Sequence, residues 1–341
     1  MTTEKFQFPG SDGQLLAASL DLPDGAPVAY ALFAHCFTCG QNVLAAKRIA
    51  EGLAKYGIAT LRFDFTGIGA SEGEFANTTF SSNITDLVLA ADHLRKTRRA
   101  PSILIGHSLG GAAILAATSL IPEAKCVATV GAPSDPSHVT HWFKEQIPDI
   151  REKGEIEVSL AGRPFRIKRE FLDDIAEHRL TETVSKLHKP LLIFHSPTDN
   201  TVGINNATHL FIAAKHPKSF ISLTGADHLL SQKRDAVYVA DMIAAWAMRY
   251  LDAPEAVSDT VPEMPDGVVV QESRATRLQQ TISAGKHRMI ADEPVSVGGH
   301  DTGPAPYDFL LASLGACTSM TMRLYAERKS IPLDRITVAL K

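Results

Sequence analysis

Apolar residues in the first part of the chain follow two alternating patterns. Short, nearly continuous apolar runs are typical of buried strands, and longer segments with apolar residues every three or four positions are typical of helices. The strand-like runs include YALFAH, IATLRFDF, SILIGHS, CVATVGAP and PLLIFHS, and the helix-like segments include NVLAAKRIAEGLAKYG and NITDLVLAADHLRK. Strands and helices in alternation build a mostly parallel sheet flanked by helices. The pattern predicts one α/β domain over residues 1–251.

The alternation fails in the polar stretch between two strand-like runs. There the segment EIEVSLAGRPFRIKREF indicates a hairpin that turns at Ala161 and Gly162. We interpret residues 134–189 as a small lid that shapes substrate choice, with Trp142 and Phe143 as its candidate specificity residues.

A second, smaller domain is predicted after the first. Residues 252–267 are rich in proline and acidic residues and lack periodicity, which is typical of a linker. In residues 268–341, an alternating stretch predicts an antiparallel meander, YDFLLASLGACTSMTMRLYAERK predicts one long helix, and RITVALK has a strand-like pattern. The pattern indicates a partial α+β domain.

Composition excludes several functional classes. A formal net charge of −4 gives no electrostatic reason to expect nucleic acid. Four cysteines and an N-terminus without an apolar leader predict a cytoplasmic protein rather than a secreted disulfide-rich one. No stretch reaches the ~20 apolar residues needed to cross a bilayer, so no membrane partner is expected. No cofactor and no metal are expected either.

Ser108 is the candidate nucleophile. It lies at the centre of GHSLG, between the strand-like SILIGH and the small-residue run LGGAAILAA. A G-x-S-x-G sequence between a strand and a helix is typical of a nucleophile elbow, a sharp turn that exposes the serine hydroxyl. A chance occurrence of the motif would not need this strand-to-helix context.

A serine hydroxyl needs a histidine to accept its proton and a carboxylate to orient that histidine. Asp199 follows the strand-like PLLIFHS, and His228 follows the next such run. Because open α/β sheets collect catalytic groups at the carboxyl ends of their strands, Ser108, Asp199 and His228 form the predicted triad. A turn aspartate and a surface histidine are the alternatives. Asp227 adjoins His228 too closely to orient its ring easily. Three other histidines are interpreted as structural or surface residues: His107, His195 and His209.

The oxyanion of an acyl-transfer intermediate needs two N–H donors. We expect one from Leu109, directly after the nucleophile, and one from Phe37 in the early loop FAHCFTCG. Cys36 and Cys39 in that loop also form a C-x-x-C pair. A redox or metal role for the pair therefore competes with a role as oxyanion loop.

These motifs together resemble those of the alpha/beta-hydrolase family over residues 1–251. The segment FDFTGIGASEG is similar to the family's D-x-x-G-x-G-x-S loop, with Thr66 where arginine is frequent. The resemblance implies an alpha/beta-hydrolase fold and serine hydrolase chemistry. It does not name a substrate, because peptidases, esterases, thioesterases and lactonases share these motifs.

Residues 303–340 resemble the first half of the OsmC and organic hydroperoxide resistance family. The resemblance implies a peroxide-reducing cysteine at Cys317, although the expected glutamate would fall near Tyr307 or Asp308 and no cysteine follows Cys317. A small buried thiol in a packed helix is the alternative. Three arginines of the meander are candidate cationic partners for the thiol: Arg274, Arg277 and Arg288.

The sequence thus predicts a serine hydrolase, a carboxylesterase that cleaves short-chain acyl esters, joined to a truncated OsmC-like domain. One alternative is a peroxide-detoxifying thiol protein with an accessory hydrolase domain, and another is an OsmC-like half that only dimerises. Apolar faces in YDFLLASLGACTSMTM and an unpaired edge favour a homodimer through the second domain.

Overall fold

The computed structural model of the protein contains two compact units. The first comprises Met1–Pro23 and Pro27–Pro254, and the second includes Glu255–Lys341. The structure describes the following residues: 1–11, 13–36, 39–160, 162–251, 264, 267–273 and 276–341.

The strands of the first unit supply one large sheet and one hairpin. They are β1 (Thr2–Pro9), β2 (Leu15–Leu22), β3 (Ala29–Ala34), β4 (Ile58–Phe63), β5 (Ile103–His107), β6 (Cys126–Val130), β7 (Glu155–Leu160), β8 (Arg163–Lys168), β9 (Leu191–His195) and β10 (Lys218–Ser222). The large sheet has the order β1-β2-β4-β3-β5-β6-β9-β10. β1, β2 and β4 pair antiparallel. The pairings from β4 to β10 are parallel, which confirms the mostly parallel sheet expected from the sequence.

Helices cover both faces of this sheet. They are α1 (Leu44–Ala54), α2 (Phe80–Thr97), α3 (Leu109–Ala117), α4 (Ile147–Lys153), α5 (Arg169–Glu177), α6 (Leu180–Ser185), α7 (Asn205–Ala213) and α8 (Lys233–Ala247), with 3-10 turns at Phe75–Asn77, Thr118–Leu120 and Pro136–Gln146. Successive strand side chains point to opposite faces. Leu32 of β3 therefore packs in the core with α2, α3 and α7. Its neighbours Ala31 and Phe33 pack with α1 and α8.

The lid region is a folded part of the first unit. β7 and β8 form the expected hairpin, in which Leu160 pairs with Arg163. Val158 and Ile167 of the hairpin and Phe171 of α5 are buried in the main core. Burial of these apolar side chains anchors the segment on the sheet's helix layer rather than leaving it loose.

The second unit contains a three-stranded sheet and a long helix. β11 (Val268–Glu272), β12 (Gln280–Ala284) and β13 (His287–Ala291) form the antiparallel meander that the sequence predicts. A 3-10 turn at Val295–Val297 leads to α9, which spans Pro306–Arg328. Of the residues of α9, only Ala326 is buried.

One feature of the second unit differs from the prediction. The strand-like RITVALK is not in a strand. A strand needs the backbone of a neighbour, and in the described part of the chain no strand pairs with this segment.

No helix of the described ranges is both long and apolar enough to cross a membrane.

Candidate active site

Ser108 lies at a sharp turn between β5 and α3. β5 ends at His107 and α3 begins at Leu109, so only Ser108 separates strand from helix. Its φ of 55° falls in the left-handed region, which residues with a side chain adopt only where the surrounding fold holds them. The Ser108 amide donates a hydrogen bond to the Val130 carbonyl of β6 at 2.9 Å. The turn is thereby tied to the neighbouring strand.

Gly110 allows the first turn of α3 to approach the end of β3. A Cβ atom at Gly110 would collide with the backbone carbonyl oxygens of Ala34 and His35. The absence of a side chain at this position brings the loop after β3 next to the serine. This close approach explains the second glycine of the motif.

Asp199 follows β9 and has a fixed carboxylate. Oδ1 accepts hydrogen bonds from the amides of Thr201 at 2.8 Å and Val202 at 2.9 Å. Burial raises the pKa of the carboxyl, but the hydrogen bonds with His228 and with these amides outweigh it and hold the pKa of Asp199 below its ordinary value. The carboxylate therefore stays ionised and correctly oriented at neutral pH.

His228 lies between Asp199 and Ser108. Its Nδ1 is 2.7 Å from Asp199 Oδ2, and its Nε2 is 3.0 Å from Ser108 Oγ. Since an ionised carboxylate only accepts hydrogen bonds, Nδ1 carries the ring proton and Nε2 is free to accept from the serine hydroxyl. The structure thus brings together the three residues that the sequence singles out, in the geometry of a nucleophile, a base and an orienting acid.

Asp227 is engaged elsewhere. Its carboxylate accepts hydrogen bonds from the backbone amide of Ser231, at 3.0 Å, and from the Ser231 hydroxyl. These bonds explain why the residue next to His228 does not orient the ring.

Two further histidines form hydrogen bonds to the loops that carry His228 and Asp199. His107 Nε2 donates to the backbone carbonyl of His228 at 2.7 Å, and His195 Nε2 donates to the Val202 carbonyl at 2.7 Å. Burial lowers the pKa of His107 to about 4, and it also lowers the pKa of His195. Both rings are neutral and buried, as the structural interpretation of the sequence expects, whereas His209 is exposed. Sequence reasoning missed that His107 holds the His228 loop.

The structure describes one of the two predicted oxyanion donors, Leu109. Leu109 is the first residue of α3, where helix amides have no intrahelical acceptor, and it lines the same cavity as Ser108. Phe37 lies outside the described residues. Cys36 and Cys39, on either side of Phe37 and Thr38 in the sequence, are joined by a disulfide and line the cavity. The redox alternative that the C-x-x-C pattern left open therefore has a structural counterpart.

A cavity of about 330 Å³ opens at Ser108 and His228. Its lining is largely apolar and comes from the start of α3, from the loops after β6, β9 and β10, and from the lid. Seven apolar side chains contribute to the wall: Leu109, Pro133, Val139, Trp142, Leu160, Val202 and Leu229. A site of this shape suits the hydrophobic part of a small ligand held beside a few polar groups.

Trp142 and Phe143 of the lid have different environments. Trp142 lines the cavity and is 59% exposed, as a specificity residue would be. Phe143 is 1% exposed and packs in the main core. The expectation that Phe143 shapes substrate choice is therefore wrong, because its ring is directed into the core and away from the cavity.

The candidate redox cysteine of the second unit is exposed. Cys317 lies on α9 with its thiol free and the residue exposed, so the alternative of a small buried thiol in a packed helix is wrong. Asp308, where the OsmC resemblance expects a glutamate, accepts a hydrogen bond from the Ala305 amide at 3.0 Å and so caps the start of α9. Arg288 lies in β13, and Arg274 lies outside the described residues.

Among the residues that the structure describes, no group of three or more His, Cys, Asp or Glu side chains could hold a metal ion.

Comparison with known proteins finds relatives of both units. Residues 30–155 match the family model described as serine aminopeptidase, S33, and residues 299–341 match the model described as OsmC-like protein. The chain is 27% identical over 212 residues to the mitochondrial palmitoyl-protein thioesterase ABHD10 of Mus musculus, covering 60% of this chain and 70% of that protein.

Solved structures show the same fold. The esterase domain of a Rhodothermus marinus protein is 49% identical, with a TM-score of 0.62, and covers 74% of this chain and 100% of its own. Est1E from Butyrivibrio proteoclasticus, solved with ferulic acid bound, is 23% identical, with a TM-score of 0.58, and covers 70% of this chain and 96% of its own.

Proposed function

Because the chain belongs to the alpha/beta-hydrolase family and carries an OsmC-like domain at its C-terminus, we propose that its first unit is a carboxylesterase. The proposed substrates are short-chain acyl esters, cleaved through a covalent acyl-enzyme. The observation that carries the proposal is the hydrogen-bonded series Asp199, His228 and Ser108 at the mouth of an apolar cavity.

Acylation begins when Ser108 Oγ attacks the ester carbonyl carbon. His228 Nε2 takes the hydroxyl proton, and the Asp199 carboxylate stabilises the imidazolium that forms. The negative charge that develops on the carbonyl oxygen is received by the Leu109 amide and, as the sequence predicts, by the Phe37 amide. When the tetrahedral intermediate collapses, the ester C–O bond breaks and His228 gives its proton to the departing alcohol.

Deacylation repeats these steps with water. His228 takes a proton from the water molecule, the resulting hydroxide attacks the acyl carbonyl, and collapse returns the proton to Ser108 Oγ as the carboxylic acid leaves. No group besides the three side chains and the backbone amides is needed for the balance of atoms and charge.

The cavity supports a preference for short acyl chains. Ligand pockets span ~300–1,000 Å³, and a volume of about 330 Å³ lies at the lower end of this range. Trp142 and Leu160 of the lid limit the space available to a longer chain.

Thioester hydrolysis is the second candidate. The chain's likeness to palmitoyl-protein thioesterase ABHD10 favours it, and the same triad chemistry cleaves a thioester. Comparison of kcat/KM for oxygen esters and thioesters with the same acyl group distinguishes the two candidates.

A panel of p-nitrophenyl esters tests the proposal. Wild-type protein should hydrolyse the acetate and butyrate, and Ser108→Ala should lower kcat by ~1,000-fold or more. The fold should persist in this variant, because the Ser108 amide that bonds to β6 is retained. An unchanged circular dichroism melt would show that the variant is folded. Retention of more than about a tenth of wild-type kcat by folded Ser108→Ala protein contradicts the proposal.

For the second unit we propose association with a second copy of the chain through α9. Leu310 is 68% exposed, Leu314 is 56% exposed and Leu324 is 66% exposed. The three side chains lie on one face of the helix, and a continuous exposed apolar patch favours burial against a partner. Light scattering of the full chain should give the mass of a dimer, and Leu310→Glu with Leu324→Glu should give that of a monomer. A monomeric wild-type chain contradicts this assignment.

A further inference from the structure

The disulfide between Cys36 and Cys39 lies in the wall of the candidate active site. β3 ends at Ala34, so the pair belongs to the loop that directly follows a central strand. Cys36 is buried and Cys39 is half-buried, and both line the cavity that Ser108 and His228 share. A small molecule that enters the cavity therefore contacts both residues of the disulfide.

This loop is held firmly at its start and cross-linked at its end. His35 Nδ1 donates to the Cys36 carbonyl at 2.8 Å, and the Cys39 amide donates to the same carbonyl at 3.1 Å. The carbonyl of His35 lies so close to the first turn of α3 that Gly110 has no room for a side chain. A change in the loop therefore acts directly on the surroundings of Ser108.

The disulfide contributes little to global stability by its connectivity. It joins residues only three positions apart, and a cross-link stabilises a fold mainly by closing a long loop in the unfolded chain. A short cross-link inside a ligand cavity is better explained by what it does to the cavity.

The other described cysteines differ from this pair. Burial raises the pKa of Cys126 to about 12, so that its thiol stays protonated and inert. Cys317 is a free thiol in the second unit. The first unit thus holds one disulfide in the cavity wall and one buried thiol, Cys126, which offers a matched control.

We propose that Cys36 and Cys39 are a reversible dithiol–disulfide site that sets the hydrolytic activity of Ser108, with the disulfide form the more active; this inference rests on the proposed esterase function. A thiolate of a small dithiol attacks one sulfur of the pair, and the other sulfur leaves as a thiolate. The second thiol of the reductant then displaces the first cysteine, so that two electrons and two protons pass to the protein and the reductant becomes a cyclic disulfide.

The effect on activity follows from the position of the cross-link. Phe37, whose amide the sequence predicts as an oxyanion donor, lies in the four-residue segment that the disulfide closes. Cys36 and Cys39 line the cavity together with Leu109, and the cross-link fixes the distance between these two wall residues; groups that stabilise an oxyanion work best when they are fixed before the reaction. Complete removal of one donor costs ~100-fold to 1,000-fold in kcat, and release of the loop should cost a part of this, ~10-fold.

Redox titration of the full chain tests the inference. The protein is equilibrated anaerobically with dithiothreitol or with glutathione disulfide, and each sample is divided. One half is denatured and alkylated with iodoacetamide for intact-mass measurement, and the other is assayed with p-nitrophenyl butyrate and labelled with a fluorophosphonate. Cys126→Ala is the control variant, and Cys36→Ser with Cys39→Ser is the variant that cannot form the disulfide.

We expect two alkylated cysteines in the oxidised protein and four in the reduced protein, because the sequence holds four cysteines and two are free. Reduction should lower kcat ~10-fold, and reoxidation should restore it. Cys126→Ala should respond as the wild type does, with one cysteine fewer at each stage. The double variant should have the low activity in both conditions.

Two results overturn the inference: a thiol count that does not change between the conditions, or a reversible change in thiol count with constant kcat. Absence of hydrolysis and of Ser108 labelling in both conditions contradicts the proposed esterase function and the control of activity built on it. In that case the thiol count still decides by itself whether the pair exchanges, so the two failures are distinguishable.

Discussion

His107 donates a hydrogen bond through Nε2 to the backbone carbonyl oxygen of His228, with 2.7 Å between the two atoms. The residue directly before the proposed nucleophile therefore holds the loop that carries the proposed base. The centres of the two rings are 5.1 Å apart. His107 is thus a positioning residue, and its neutrality matters because a protonated ring would repel the imidazolium of His228.

Replacement of His107 should flatten the pH dependence of stability. Burial lowers the pKa of folded His107 to about 4, whereas an unfolded histidine titrates near ~6.5. Between these values the unfolded state binds more protons, so the free energy of unfolding rises with pH; the contribution is complete above pH ~6.5 and is lost as pH falls towards 4. The full difference is about 3 kcal/mol. When the free energy of unfolding, measured with urea, is plotted against pH, the wild type should therefore have a steeper rise between pH 4 and ~6.5 than His107→Asn. Parallel curves contradict this account.

Asp199→Asn should lower kcat by ~1,000-fold to 10,000-fold. An asparagine amide can donate to His228 Nδ1, which selects the tautomer whose Nε2 carries a proton and cannot accept from Ser108. The matched control is Asp227→Asn, whose carboxylate bonds to Ser231 and should change kcat by less than ~3-fold. An active Asp199→Asn beside an inactive Asp227→Asn reverses the assignment of the acid.

Trp142→Ala should shift the acyl preference towards longer chains. The indole lines the cavity, and its removal enlarges the space at the lid. One methylene in an apolar pocket is worth ~10-fold to 200-fold in discrimination, so the ratio of kcat/KM for octanoate to that for acetate should rise at least ~10-fold. Equal ratios for wild type and variant across a p-nitrophenyl ester series are the contrary result.

Phe143→Ala should act on stability rather than on specificity. The ring is 1% exposed in the main core, and truncation of a buried phenylalanine costs ~3–5 kcal/mol. Urea unfolding should show this loss, and the acyl preference of the folded variant should match the wild type. A changed acyl preference without loss of stability would contradict the placement of Phe143 in the core and indicate that its ring lines the cavity.

The proximity of the three residues of the proposed triad could be predicted from the sequence because the signals are local. Ser108 has a strand before it and a small-residue helix after it, and Asp199 and His228 each follow a strand-like run. Parallel strands bring their carboxyl ends to one edge of a sheet, so strand order is enough to predict proximity. The hydrogen bonds between the three side chains agree with that expectation.

Features that depend on where side chains lie in the folded chain were missed. The bond from His107 to His228 spans residues far apart in sequence, and only the elbow geometry reveals it. The C-x-x-C pattern left the disulfide open as an alternative, since sequence spacing does not give sulfur positions. Apolar content alone could not distinguish Phe143 in the core from Trp142 at the cavity.

The second unit shows the limit of pattern reading most clearly. An apolar helix pattern predicts burial, but α9 buries only Ala326, because burial requires a packing surface that the pattern does not contain. The strand-like RITVALK likewise needs a neighbouring strand to become one.

Fluorophosphonate labelling tests the central claim, that Ser108 is an activated nucleophile, most directly. A fluorophosphonate reacts with a serine whose proton is removed by a neighbouring base, and it requires no knowledge of the natural substrate. Intact-mass measurement of the wild-type chain should show one adduct, peptide mapping should place it on Ser108, and folded Ser108→Ala protein should take up none. An unlabelled wild-type chain, or an adduct that persists in Ser108→Ala, contradicts the account.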